Sequence, residues 1–324
     1  MPVLREKPVV LERLQQAGCQ GRPLLCPNAE TPDEMEGLLT AAEACRRRAG
    51  LDRFGIGVGI TATYPEHPQL GLLSFSPDPS PAELQTTARL WLGWLDLIAH
   101  QSRFGCLDVI PFLDHGWAVH AADRELMSQT WFQEAMGIIM FDASPCDLEE
   151  NTRLTAAYVV EAGERVVVEA CPDKVYEQGH AETLGLTPEA RLSDPEAVER
   201  FVGETGVDLV VPNLGTEHRS ASEEPLQYRV DLAREIHRRI GPKQALHGTS
   251  SLGGNVGSVG ADGICKINYY TAMAREASTS LRGAWHCEPT QLPISTSCGA
   301  FVHRTRREAV FHNLNQFLYH LYPA

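Results

Sequence analysis

Residues 106–117 read CLDVIPFLDHGW, an apolar run that stops on an aspartate, a histidine and a glycine. The β-branched and aromatic content of 106–113 predicts a strand. Asp114 and His115 therefore stand where that strand breaks off, and their purpose depends on the kind of sheet around them.

On either side the same rhythm repeats. Short apolar runs alternate with amphipathic stretches: RPLLCP (22–27) then 32–48, FGIGVGI (54–60) then 81–103, CLDVIPFL then 119–134, and GIIMFDA (137–143) then 147–162. It continues with RVVVEA (165–170) then 194–205, VDLVVPNL (207–214) then 227–239, QALHG (244–248), and GICKINYY (263–270) then 271–282. Strands alternating with helices predict a parallel sheet covered by helices, and eight units in about 250 residues is the count of a (β/α)8 TIM barrel. A doubly wound open sheet fits the local rhythm nearly as well. It calls for a GxGxxG turn opening a helix, and the nearest match, FGIGVGITA (54–62), has its glycines inside the strand.

Two stretches break the rhythm. Residues 172–193 form a long polar connection after the fifth strand, suited to a mobile active-site loop, and LGGNVGSVGADG (252–263) replaces a seventh helix with glycines. Residues 1–283 read as the barrel and 284–324 as a C-terminal extension. Its helix carries Phe311, Leu314, Phe317, Leu318 and Tyr319 for packing on the barrel or on a neighbouring subunit of a homo-oligomer. Trp91, Trp94 and Leu95 share a helical face and read as core, while Arg46–Arg48 suit the negative end of a helix dipole.

Bulk composition narrows the function. The 324 residues, 43% hydrophobic and 22% charged, allow a large core. A net charge of −14 argues against a nucleic-acid or anionic-membrane binder. No apolar run approaches the roughly 20 residues of a membrane helix, and the charged MPVLREKPVVLERLQQAG lacks the apolar centre of a signal, so a cytoplasmic location is expected. The nine cysteines form no CxxC pair and read as reduced thiols.

Three of the 12 histidines fall at carboxyl ends of different strands: His115 after the third, His218 after the sixth and His247 at the seventh. In a barrel those ends meet at one mouth, where catalytic residues of this fold sit. Three imidazoles there suit a zinc ion with one open coordination position. The plainer alternative is three separately satisfied histidines.

An ordered set of segments then resembles the class II, metal-dependent fructose-bisphosphate aldolase family from Asn28 to Asn268. PNAETPDEMEGLLTAAEA (27–44) is similar to that family's opening strand and helix, PFLDHG (111–116) to its third strand and GIIMFDASPCDLEEN (137–151) to its fourth. DPEAVERFVGETGVDLVVPNLGTEH (194–218), ALHG (245–248) and GICKIN (263–268) follow the sixth to eighth. The resemblance implies that His115, His218 and His247 bind one catalytic divalent metal, zinc by ligand type, and that Asp114 is the proton-transfer carboxylate. It implies aldol cleavage or condensation of a ketose or hydroxyketone through a metal-stabilised enediolate, on a small carbohydrate-like substrate.

Departures from the family pattern carry information too. VEACP (168–172) keeps Glu169 but places Cys171 where an alternative metal ligand stands, so Cys171 is either a thiolate ligand or a small buried residue. Asn28, Gly248, Ser250, Asn268 and Thr271 remain as substrate-binding candidates. Arg219, Thr249 and Tyr270 replace small or acidic residues around the phosphate pockets, Arg219 itself being a candidate anion ligand. A reshaped pocket predicts poor cleavage of fructose 1,6-bisphosphate and a smaller, singly phosphorylated or unphosphorylated substrate. In the loop, Glu177, His180 or Glu182 is placed to supply a second acid; spacing does not choose among them, and Glu182 is carried forward. Two other functions stay open: a metal-dependent sugar isomerase or epimerase, and a non-catalytic binding protein on a decayed aldolase barrel.

Overall fold

The computed structural model describes residues 3–64, 68–74, 76, 78–173, 192–216, 228–249, 252, 256–285 and 298–322. Eight parallel strands run β1 (Leu24–Pro27), β2 (Phe54–Thr61), β3 (Leu107–Trp117), β4 (Ile138–Asp142), β5 (Val167–Ala170), β6 (Leu209–Val210), β7 (Gln244–Leu246) and β8 (Ile264–Tyr269). Their order in the sheet is β1-β8-β7-β6-β5-β4-β3-β2. The ring closes where Asn28 bridges Gly59 and the Ala29 amide donates to the Gly59 carbonyl at 2.9 Å. The predicted (β/α)8 barrel is the observed fold.

The helices form where local chemistry starts and stops them. Before α2 (Pro32–Arg48), the Thr31 amide donates to the Glu34 carboxylate at 3.2 Å, and Arg46, Arg47 and Arg48 fill the last turn. Ser80 and Glu83 cap α4 (Pro81–Ala99) reciprocally, and Trp91 and Leu95 on its inner face are buried, with Trp94 half-buried behind them. The helix expected over 119–134 is two short ones, α5 (Ala121–Met127) and α6 (Thr130–Ala135). Among the described residues of the glycine-rich stretch after β7, a 3-10 turn spans Val259–Asp262. Among the described residues, no helix is long and apolar enough to cross a membrane.

Inside the barrel, the glycines of β2 are spacers. A Cβ at Gly59 would lie 2.2 Å from the Phe112 ring and one at Gly57 2.3 Å from Cys26 Sγ, so both positions stay bare to admit neighbouring side chains. The lower end of the interior is closed by a helix that the sequence pattern had not singled out, α1 (Lys7–Cys19), preceding β1. Its Val10 and Leu14 join Leu24, Cys26, Ile110, Phe112, Ile138, Val167, Leu209 and Cys265 in an apolar cluster. The charges that mask α1 in the sequence are paired at its edges: Lys7 with Asp208 at 2.9 Å and Arg13 with Asp108 at 2.9 Å.

After α2 and α4 come the short α3 (Gln69–Leu73, lying between them in the chain), α7 (Leu148–Ala162), α8 (Pro195–Thr205), α9 (Val230–Ile240), α10 (Thr271–Trp285) and α11 (Cys298–Leu321). The last helix packs on α2 so closely that a Cβ at Gly37 would meet the Arg307 carbonyl at 2.5 Å. Of the five side chains expected to pack, Leu314 and Leu318 are buried and Phe311 and Phe317 half-buried, but Tyr319 is 56% exposed. Its ring meets the Arg48 guanidinium, 5.1 Å from the ring centre, and the His320 ring, with centroids 5.9 Å apart.

Candidate metal and acid–base site

On β3, Ile110 and Phe112 point into the barrel, and alternation sends Asp114 the same way and His115 outward. The register instead shifts between Leu113 and Gly116, and His115 takes φ 48°, a left-handed conformation rare for a residue with a side chain. This bulge turns Asp114 and His115 to the same side. Both are buried, and with His247 they offer donor atoms that all lie within 4.8 Å of one another.

Each imidazole has a carboxylate behind it. His115 Nδ1 lies 2.7 Å from Asp142 Oδ2, and His247 Nε2 lies 3.0 Å from Glu169 Oε1. An ionised carboxylate only accepts, so those ring nitrogens carry the hydrogens and the lone pairs fall on His115 Nε2 and His247 Nδ1. These two nitrogens face Asp114 Oδ1 at 3.9 and 4.0 Å. Both tautomers are set for holding a cation, and the donor set fits one.

Asp114 is fixed at both oxygens: Asn28 Nδ2 donates to Oδ2 at 2.9 Å and Asn268 Nδ2 to Oδ1 at 2.8 Å. Burial pushes its pKa up, but His115, His247, Lys266 and the Asn28 hydrogen bond outweigh it, leaving the carboxyl below its usual range. Glu169 is also driven up by burial and down by Lys266 and His247, to about 2. The two histidines move oppositely. Burial lowers both, yet Asp114 and Asp142 raise His115 on balance, whereas His247 stays lowered, in part by repulsion from His115.

Around this centre, Gln69 Oε1 accepts from the Thr61 amide at 2.8 Å, and Gln69 Nε2 donates to Glu30 Oε1 at 3.2 Å. The Tyr270 hydroxyl donates to the same Glu30 oxygen. Tyr64 stacks on the His115 ring, with centroids 4.7 Å apart. Gly248 follows His247 with φ 67°, Thr249 Oγ1 donates to the Asn268 carbonyl at 2.8 Å, and Thr271 opens α10.

Of the residues singled out in the sequence, the structure thus brings together Asn28, Asp114, His115, His247 and Asn268. Glu182, His218, Arg219 and Ser250 lie outside the described residues. Cys171 is not in the converging group: it is buried with Met140, Val211 and Ala245, and burial beside Asp142 and Glu169 pushes its thiol well up, favouring the protonated form. Sequence reasoning missed Asp142, Gln69 and Lys266. For Lys266 a signal existed, since a lysine inside the apolar strand ICKINY requires a buried partner.

Fold and site together define a (β/α)8 protein with a carboxylate-backed histidine pair and an ionised aspartate at the carboxyl ends of its strands. The chain belongs to the class-II fructose-bisphosphate aldolase family, whose model matches residues 87–313. It is 28% identical over 178 residues to the YdjI protein of Escherichia coli (strain K12), covering 53% of this chain and 61% of that one. It is 28% identical over 179 residues to the D-tagatose-1,6-bisphosphate aldolase subunit GatY of Klebsiella oxytoca, covering 54% and 62%. The matched stretches therefore span about three-fifths of these relatives' own length. Among solved structures, the fructose-bisphosphate aldolase of Campylobacter jejuni superposes with a TM-score of 0.76 at 14% identity, covering 98% of this chain and 95% of that one. At that identity the likeness speaks for the fold.

Proposed function

We propose that the protein is a zinc-dependent aldolase that cleaves or forms a carbon–carbon bond in a ketose or hydroxyketone. The observation that carries this reading is Asp114: an ionised, doubly anchored carboxylate whose Oδ1 is faced by His115 Nε2 at 3.9 Å and His247 Nδ1 at 4.0 Å. His115 and His247 would hold the ion, with His218 as the expected third ligand. A zinc ion there supplies Lewis-acid polarisation of the substrate carbonyl.

The remaining steps belong to the chain's own side chains. In cleavage, the substrate hydroxyl gives its proton to an Asp114 oxygen while the adjacent carbon–carbon bond breaks; the new aldehyde leaves, and the carbon next to the carbonyl keeps the bonding pair. In condensation, Asp114 returns the proton to the new alkoxide. Asn28 and Asn268 keep the carboxylate from rotating away, which preserves the alignment of the transfer.

Substrate choice follows from the mouth. Tyr270 and Gln69 together hold the Glu30 carboxylate beside Asn28, and a fixed carboxylate there disfavours a phosphate at that end. This supports a substrate with at most one phosphate. The test is cleavage by the zinc-loaded chain of a panel of unphosphorylated ketoses, ketose monophosphates and fructose 1,6-bisphosphate, in buffer free of phosphate and sulfate. Cleavage confined to the first two groups is expected. Turnover of the bisphosphate at about 10⁴ M⁻¹s⁻¹ or above would overturn the substrate assignment, and no cleavage of any ketose despite bound zinc would overturn the aldolase reading.

A further inference from the structure

We propose that Lys266 is a positioning residue that sets the hydrogen-bond polarity of the whole site, fixing His247 on one side and Asp114 on the other. This inference deepens the aldolase reading and rests on it for its consequence in turnover, though not for its consequence in metal binding.

Lys266 projects from β8 into the barrel centre with no exposed surface. Its ammonium lies 2.9 Å from Glu169 Oε2 and 3.1 Å from Glu169 Oε1, sits 4.5 Å from the centre of the Phe112 ring, and donates to Asn268 Oδ1. An ammonium has donors and no acceptor. Whatever touches it must present an oxygen, and that requirement propagates in two directions.

Toward the metal side, Lys266 keeps Glu169 an acceptor. The oxygen 3.0 Å from His247 Nε2 then demands a hydrogen on that nitrogen, which leaves Nδ1 with its lone pair toward Asp114 and His115. Toward the acid–base side, Lys266 takes the Asn268 oxygen, so the Asn268 amide group must turn its NH2 outward, where it donates to Asp114 Oδ1 at 2.8 Å. One buried cation thus selects the tautomer of one side chain and the amide orientation of another. Neither choice is fixed by shape, because a flipped amide and a shifted imidazole hydrogen occupy the same space.

The experiment exploits this polarity in the full-length chain. Zinc affinity is read by competition with a chromophoric chelator, and the His247 tautomer by ¹⁵N NMR of histidine-labelled protein, for Lys266→Met, Glu169→Gln and the double variant. In Glu169→Gln, Lys266 claims the new amide's oxygen and forces its NH2 toward His247 Nε2. The imidazole hydrogen then moves to Nδ1, and zinc binding weakens by roughly 10–100-fold, the range for partners of metal-ligating histidines. Adding Lys266→Met frees the amide to turn its oxygen to His247, so the double variant regains the original tautomer and binds zinc more tightly than Glu169→Gln alone. It also has no unpaired buried charge, which protects it from the misfolding that threatens Lys266→Met. A double variant that binds zinc as weakly as Glu169→Gln, or with the hydrogen still on His247 Nδ1, would overturn the proposal and leave Lys266 a packing residue. These readouts need no substrate, so an absence of aldol cleavage by the unaltered chain would count against the aldolase reading alone.

Discussion

The two ends of the barrel interior are built from the same strands with opposite chemistry. β3 contributes Ile110 and Phe112 below and Asp114 and His115 above; β5 contributes Val167 below and Glu169 above. At the lower end, contact with Val10 and Leu14 of α1 is non-directional, and burial of apolar area stabilises whatever the detailed geometry. At the upper end, Asp114, His115, Asp142, Glu169, His247 and Lys266 are all buried, and each costs stability unless its partner stands at hydrogen-bond distance. The lower end holds the ring together so that the upper end can keep charges in place.

Five substitutions, one of them read through a titration, probe that division, beginning with the largest effect. His247→Ala removes a proposed ligand, and zinc content together with ketose cleavage should vanish; full zinc occupancy by elemental analysis would take His247 out of the metal site. Asp114→Asn should retain zinc and the melting temperature while kcat falls about 10²- to 10⁴-fold, and unchanged turnover would reassign proton transfer. At the other end, Leu14→Ala opens a cavity under the barrel and should cost about 2–5 kcal/mol in urea unfolding with the zinc dissociation constant unmoved. A shift in zinc affinity there would show that the two ends are coupled.

The titration concerns metal-free protein. Glu169 is held at about 2 against an ordinary 4.5, so its contribution to stability is complete above 4.5 and is lost as pH falls toward 2. Unfolding free energy should drop across that window, and Glu169→Gln should flatten the drop; an identical slope in the variant would contradict the assignment. His115 and His247 shift in opposite directions, so their contributions near neutral pH oppose each other. The smallest effect is expected of Cys171→Ala: a buried protonated thiol among Met140, Val211 and Ala245 gives up only packing, so zinc affinity should not change. Weaker zinc binding in that variant would make Cys171 a ligand after all.

The barrel was legible because its signal is local. The strands and most of the covering helices announce themselves within some ten residues through apolar period, Pro and Ser or Thr at helix starts, and glycine at breaks, as with Thr31-Pro32 before α2 and Ser80-Pro81 before α4. Asp114, His115 and His247 were legible for the same reason, since each ends or follows an apolar run. α1 was not, because only a narrow stripe of it is apolar and its meaning as a plug depends on an open barrel end that no local pattern describes.

The sequence by itself therefore determined the (β/α)8 topology and which chemical groups reach the carboxyl ends of the strands. Tertiary structure alone decided how those groups face one another. Alternation along β3 would turn His115 outward, and the bulge with its left-handed backbone at His115 brings it in. Lys266 meets Glu169 across 97 residues and Asn268 meets Asp114 across 154. Contacts at such separations follow from closure of the ring, and a donor is matched to its acceptor only when both occupy the same few ångströms.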